Sequence, residues 1–148
     1  MRAVIQRVKQ ASVEVGGQQV GAIGQGLLVL LGVGREDTDA EVVWMADKLP
    51  ELRLFEDAEG KMNCSARTLG LPLLVVSQFT LYGDAHRGRR PGFIAAAPPE
   101  EAEVRYQQVV ARLREGGMQV ETGVFRADMQ VALVNDGPVT LWLDTALR

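Results

Sequence analysis

Ser77, Gln78, Phe79 and Thr80 follow directly on an apolar run, Leu71-Pro-Leu-Leu-Val-Val76. A hydroxyl or amide at the mouth of a buried strand can position or attack a bound group, because strand ends deliver side chains from a rigid core to its surface. The same residues also suit a plain purpose, since Ser77 and Thr80 can satisfy backbone groups where a strand finishes. A hydroxyl nucleophile needs a base beside it. The chain has one histidine, His86, within Asp84-Ala-His-Arg-Gly-Arg-Arg90. That loop reads as solvated, and Asp84 is too near His86 in sequence to imply triad geometry. Cys64 is the one cysteine, so no disulfide and no zinc site is expected. Gly24-Gln-Gly26 and Gly32-Val-Gly34 read as turn glycines rather than a dinucleotide fingerprint. We expect no metal and no cofactor.

A second segment, Asn135-Asp-Gly-Pro138, has the composition of a tight turn. A Gly-Pro bond can also be cis, which would redirect the two carbonyls beside it. A third feature is the cluster Arg87, Arg89 and Arg90, with Phe93 just beyond. Guanidinium groups can hold phosphates and an aromatic ring can stack on a base. A solvated basic loop accounts for the cluster equally well.

The elements that must carry these residues are mostly strands. Val4 to Val8 and the alternating Ser12-Val-Glu-Val15 predict β-structure, Gly16-Gly17 a turn, and Gln18 to Ile23 the returning arm of a hairpin. Leu27 to Leu31 is continuously apolar, as in a strand covered on both faces. Thr38-Asp-Ala-Glu41 has the form of a capping box. It precedes a helix whose apolar stripe is Val42, Met45, Ala46 and Leu49, and which Pro50 should end or kink. Leu52 to Phe55 reads as a strand and Asp57 to Gly60 as a turn. Leu71 to Val76 reads as an interior strand running on into Ser77 to Tyr82. A second helix starts at Pro99, buries Ala102, Tyr106, Val109, Val110 and Leu113, and stops at Gly116-Gly117. In the tail, Met129, Val131 and Leu133 alternate, as do Val139, Leu141 and Leu143, with Asn135 to Pro138 separating the two runs. Many strands and two main helices predict an α+β layered fold, one domain over residues 1–148.

Bulk properties set limits on the function. The 148 residues are 47% hydrophobic and 24% charged, enough to bury a core without staples. Sixteen basic residues against nineteen acidic give a net charge of -3, which argues against a protein that coats nucleic acid non-specifically. Binding one RNA end through a local basic patch remains open. No apolar run is long enough for a signal peptide or a bilayer span, so a cytoplasmic protein with no membrane partner is expected.

Taken together, Ser77-Gln-Phe-Thr-Leu-Tyr82 and Asn135-Asp-Gly-Pro-Val-Thr140 resemble the motif pair of the D-aminoacyl-tRNA deacylases. Met1 to Val8, Gly26 to Gly32, Gly60 to Asn63, Gly88 to Pro91, Ala96 to Pro99 and Ala127 to Val131 also resemble that family, in order and at similar spacing. Gly92 departs from it, standing where serine is common. The resemblance implies a homodimer with active sites at the subunit interface. It implies that Ser77, Gln78, Phe79 and Thr80 line a pocket for the aminoacylated adenosine. Met129, Phe93, Arg87, Arg89 and Arg90 fall on the substrate-binding side. Gly137 and Pro138 would form a Gly-cis-Pro element, inserted from the partner subunit, whose rigid carbonyls exclude the side chain of an L-amino acid. Glycine has no side chain to exclude, so glycyl-tRNA, mischarged on tRNA(Ala), should also be cleaved.

The implied activity is hydrolysis of the ester of D-aminoacyl-tRNA. Thr80 is one candidate nucleophile that the resemblance implies, and the competing view assigns the key role to the substrate's terminal 2′-hydroxyl. The lack of a base near Thr80 favours the second. Two other classes stay in view: a non-catalytic RNA-binding or replication-associated module on the same scaffold, and a general esterase built on Thr80. The expected partner is the aminoacylated 3′ end of tRNA, with no DNA.

Overall fold

The computed structural model describes residues 1–148. Strand β1 (Arg2–Val15) reverses through Gly16 and Gly17, both in the left-handed region that a two-residue reversal requires. β2 (Gln18–Ile23) and β3 (Gly26–Gly32) then lie end to end along one edge of β1. β2 pairs with Ala11–Val15 and β3 with Arg2–Val8. Helix α1 (Asp39–Glu51) follows, then the short pair β4 (Phe55–Glu56) and β5 (Met62–Cys64), and a single turn of helix α2 (Ala66–Leu69). β6 (Leu73–Ser77) runs parallel to β3. After helix α3 (Pro99–Glu115), β7 (Val120–Thr122) runs parallel to β6. The last strand, β8 (Gln130–Asp144), lies antiparallel along the other edge of β1 for nearly its whole length.

The sheet curls until β2 meets β7. A Cβ on Gly21 would lie 2.4 Å from the Thr122 carbonyl oxygen, and one on Gly26 2.2 Å from that of Pro72, so glycine alone permits the near closure. β3 and β6 are covered on both faces, as continuous apolar runs require. Leu27, Val29, Leu31, Leu73 and Val75 pack with α1 and α3. Leu28, Leu74 and Val76 pack with Val8, Val13 and Ile23 inside the curl. Helix α1 contains Pro50 in its last turn and ends one residue later. No helix is long and apolar enough to cross a membrane.

The sequence expectations need correcting at four places. Leu52 to Phe55 is not a strand: Leu52 caps α1, and pairing begins at Phe55. Helix α2 has no counterpart among them, because four residues are too few for periodicity. Ser65 and Gly70 cap it. β6 does not run on to Tyr82; it stops at Ser77, and Phe79–Tyr82 forms a 3₁₀ turn. Asn135 to Pro138 is not a turn either. The residues before and after it pair along β1 in one direction, and the register slips opposite Gln6 to Gln10, so the segment is a bulge within one strand.

The capping box of α1 yields a pH-dependent prediction. Glu41 accepts from the Thr38 backbone N–H at 2.7 Å and its hydroxyl at 2.6 Å, and Arg148 lies beside it. The Thr38 hydroxyl and N–H hold the carboxyl down at about 2, against an ordinary 4.5. A depressed carboxylate stabilises the fold above its unfolded pKa and loses that contribution as pH falls through the window from 4.5 toward 2. Glu41→Ala should therefore cost about 1 kcal/mol in urea denaturation at neutral pH. The deficit should shrink as the pH is lowered through that window.

Candidate active site

The strand end of β6 is tied to its neighbour by the Gln78 N–H, which donates to the Leu31 carbonyl at 2.8 Å. The chain then turns through Phe79–Tyr82 and enters the loop at Asp84. Asp84 and Gly92 exchange two backbone hydrogen bonds of 2.8 Å, which pinch the loop shut at its base. The pinch returns Phe93 to Phe79, and the rings meet edge to face with centroids 5.0 Å apart. Ala97 N–H donates to the Val33 carbonyl at 3.0 Å, leading the chain into α3. The segment from Phe125 to Met129 forms the opposite wall.

These pieces enclose a cleft of about 780 Å³. Its walls are largely apolar, from Val33, Val76, Phe79, Phe93, Phe125 and Met129, with Ser77, Gln78, Arg35, Arg126 and Asp128 as polar groups. That size and balance suit a nucleoside carrying one small ester-linked group. Ser77, Gln78, Phe79, Phe93 and Met129, all singled out from the sequence, are thus brought together.

Thr80 is exposed on the 3₁₀ turn and does not line the cleft. Its hydroxyl accepts a hydrogen bond from the Gln78 side-chain amide, and an amide is no base. His86 is almost fully exposed, with Nδ1 2.8 Å from Asp84. The His86 backbone N–H and ring hold the Asp84 carboxyl below its ordinary range. Arg87 and Arg90 line a second cleft of about 810 Å³, which shares Arg35 with the first; Arg89 lines neither. Tyr82, in the second cleft, has its phenol pKa pushed up, first by burial and then by the charges of Asp37 and Asp144.

Gly137 and Pro138 lie exposed on the β8 bulge and line neither cleft. Within one chain they are not brought to Ser77–Thr80. The bond between them is cis. The bulge is braced from β1. Arg7 Nε donates to the Asp136 carbonyl at 2.8 Å and Nη1 to that of Leu54 at 2.7 Å, with the Asp136 carboxylate 3.5 Å away. Asn135 Nδ2 donates back to the carbonyls of Arg7 and Val139.

Sequence reasoning missed Arg7, Arg35 and Arg126. Only Arg7 carried a signal, a guanidinium one residue from the buried Val8 in a strand; its side chain is 11% exposed. Arg7→Ala strips two carbonyls of a charged donor and should cost about 2 to 4 kcal/mol, read as a lowered unfolding midpoint in urea. Arg7→Lys should recover little, because one ammonium cannot span both carbonyls.

A family model described as D-Tyr-tRNA(Tyr) deacylase matches residues 4–144. A protein of Desulfitobacterium hafniense named D-aminoacyl-tRNA deacylase is 63% identical over 145 residues, covering 98% of this chain and 97% of that protein. One of the same name from Myxococcus xanthus is 61% identical, covering 98% and 95%. Among solved structures, the c-Myc DNA Unwinding Element Binding Protein superposes with a TM-score of 0.93 at 44% identity, covering 98% of this chain and 99% of that one. A structure described as a probable eukaryotic D-amino acid tRNA deacylase superposes at 0.80 over 96% and 97%, and at 18% identity it shows the fold alone.

Proposed function

The chain belongs to the D-Tyr-tRNA(Tyr) deacylase family, and from that premise we propose that it hydrolyses the ester joining a D-amino acid to the terminal ribose of tRNA. Water adds to the ester carbonyl, the bond to the ribose oxygen breaks, that oxygen takes a proton, and free D-amino acid and tRNA leave. The observation that carries this reading is the meeting of Ser77, Gln78, Phe79, Phe93 and Met129 in one cleft with room for an aminoacylated nucleoside. Relatives 63% identical over nearly the whole chain bear the name of that activity.

The protein's part is positioning and charge stabilisation. The opening N–H groups of a helical turn have no acceptor within it, and here they belong to Phe79 and Thr80 beside the cleft. They are the donors we assign to the developing oxyanion. The vicinal 2′-hydroxyl of the substrate supplies the proton-transfer group that Thr80 lacks. Glycyl esters, including glycine mischarged on tRNA(Ala), fall within the same specificity.

The working unit in this reading is a homodimer. β8 pairs with β1 alone, so its outer edge has no strand beside it. Leu133, Val134 and Trp142 are exposed along it. A second copy would cover this apolar edge. It would also bring its Gly137 and Pro138 to the cleft, where their carbonyls exclude an L-side chain.

A second reading, a nucleic-acid-binding module without catalysis, is favoured by the 44% identical structure named for binding a DNA unwinding element. Purified protein incubated with D-tyrosyl-tRNA separates the two. Release of free D-tyrosine is the expected result. Retention of intact D-tyrosyl-tRNA in a stable complex would support the binding module instead.

A further inference from the structure

We propose that the second cleft holds phosphodiester groups of the single-stranded RNA leading to the terminal adenosine, with Arg35, Arg87 and Arg90 as the anion-binding side chains. This rests on the RNA-ester reading above and extends it from the reacting end to the strand behind it.

Charge pairing within the cleft points to an anion. Three of its carboxylates are engaged by permanent cations, Asp144 with Arg2, Asp37 with the N-terminal ammonium and Glu41 with Arg148, while Asp84 faces His86, which adds no charge when neutral. No carboxylate lies within ion-pair distance of Arg35, Arg87 or Arg90. Glu36 and Asp84 are the lining acids without a permanent cationic partner. Three guanidiniums without a carboxylate partner therefore face two carboxylates without a permanent cation, an excess of positive charge in a chain whose net charge is -3. An RNA end approaching such a chain is drawn by local positive potential or not at all.

Placement connects the two clefts. Arg35 lines both clefts and is held by its backbone N–H to the Ala95 carbonyl at 2.9 Å and by Nε to that of Ile94 at 3.1 Å. The loop pinched between Asp84 and Gly92 carries Arg87 and Arg90 into the second cleft, while Phe93 at its base packs on Phe79 in the first. An adenosine in the first cleft with its 5′ side toward Arg35 would lead the strand behind it to the basic loop. The chemistry is phosphate recognition by unpaired guanidiniums, which positions a strand without reading its bases.

The test is binding of a fluorescent RNA oligonucleotide ending in CCA-3′, followed by anisotropy across a KCl series. Wild type, Arg35→Gln, Arg87→Gln and Arg90→Gln are compared, with Lys61→Gln as a control for charge outside both clefts. D-tyrosyl-tRNA hydrolysis is measured in parallel. Each arginine variant should weaken binding several-fold and flatten the log–log salt slope by about 0.7, the share of one neutralised phosphate on a single strand, while Lys61→Gln leaves the slope unchanged. A slope unaltered in all three variants overturns the proposal, even if hydrolysis persists. Flattened slopes in a protein that releases no D-tyrosine would leave the phosphate cleft standing and remove the deacylase reading.

Discussion

D-tyrosyl-tRNA ending in 2′-deoxyadenosine should be hydrolysed about 10² to 10⁴-fold more slowly than the ribose substrate, the range spanned by loss of a positioned acid–base group. Thr80→Ala should slow the ribose substrate by no more than about ten-fold, the worth of one modest hydrogen bond. The asymmetry follows from what surrounds Thr80. Its hydroxyl accepts from the Gln78 amide, which cannot take a proton from it, and the one histidine stands exposed in a different loop. A hydroxyl in that setting is a weak nucleophile at neutral pH. The substrate's own 2′-hydroxyl sits vicinal to the ester and needs only to be oriented. Single-turnover rates with the two terminal nucleotides and the two proteins give the comparison. Full activity on the deoxy substrate, together with a dead Thr80→Ala, would instead establish a general esterase built on Thr80.

The fold is legible wherever periodicity is long. The both-faces-covered strand at Leu27 to Leu31, the capping box at Thr38 and the amphipathic stripe of α3 are readable from residue spacing alone, and the structure has all three. Short elements are not, because α2 and the β4–β5 pair span too few residues for a period to register. The bulge at Asn135–Pro138 misleads for a different reason. Its residues are those of a turn, and only contacts more than a hundred residues away, from Arg7, keep the strand running straight through. The site is half legible. The strand-end motif and Phe93 announce themselves, whereas Arg35 and Arg126 become lining residues only because α3 and the Phe125–Met129 segment fold across the strand end. No local pattern marks them.

If the proposed filter operates, discrimination between D- and L-esters should be large, because the exclusion would rest on a backbone held by its neighbours. Gly137 and Pro138 sit on a bulge braced by one Arg7 hydrogen bond to the Asp136 carbonyl and by two from the Asn135 side-chain amide, so the bulge is tied to β1 before substrate arrives. An L-side chain directed at fixed carbonyls meets repulsion and unsolvated polar atoms, and a penalty of about 4 kcal/mol corresponds to about 10³ in rate. Disturbing the bulge should erode that ratio. A Cβ on Gly137 would lie 2.0 Å from the Val139 nitrogen and 2.9 Å from the Asn135 side-chain oxygen, so Gly137→Ala must displace the backbone there. A shift of that kind should lower the D-to-L ratio by about ten-fold or more, because misplacement near 1 Å costs about 10² in positioned reactions.

The most direct measurement is the ratio of kcat/KM for D-tyrosyl-tRNA and L-tyrosyl-tRNA on the same tRNA with the wild-type protein. The D-ester should be cleaved about 10³-fold faster or more, with the L-ester close to its spontaneous rate. Cleavage of both esters at similar rates would contradict a filter built on fixed carbonyls.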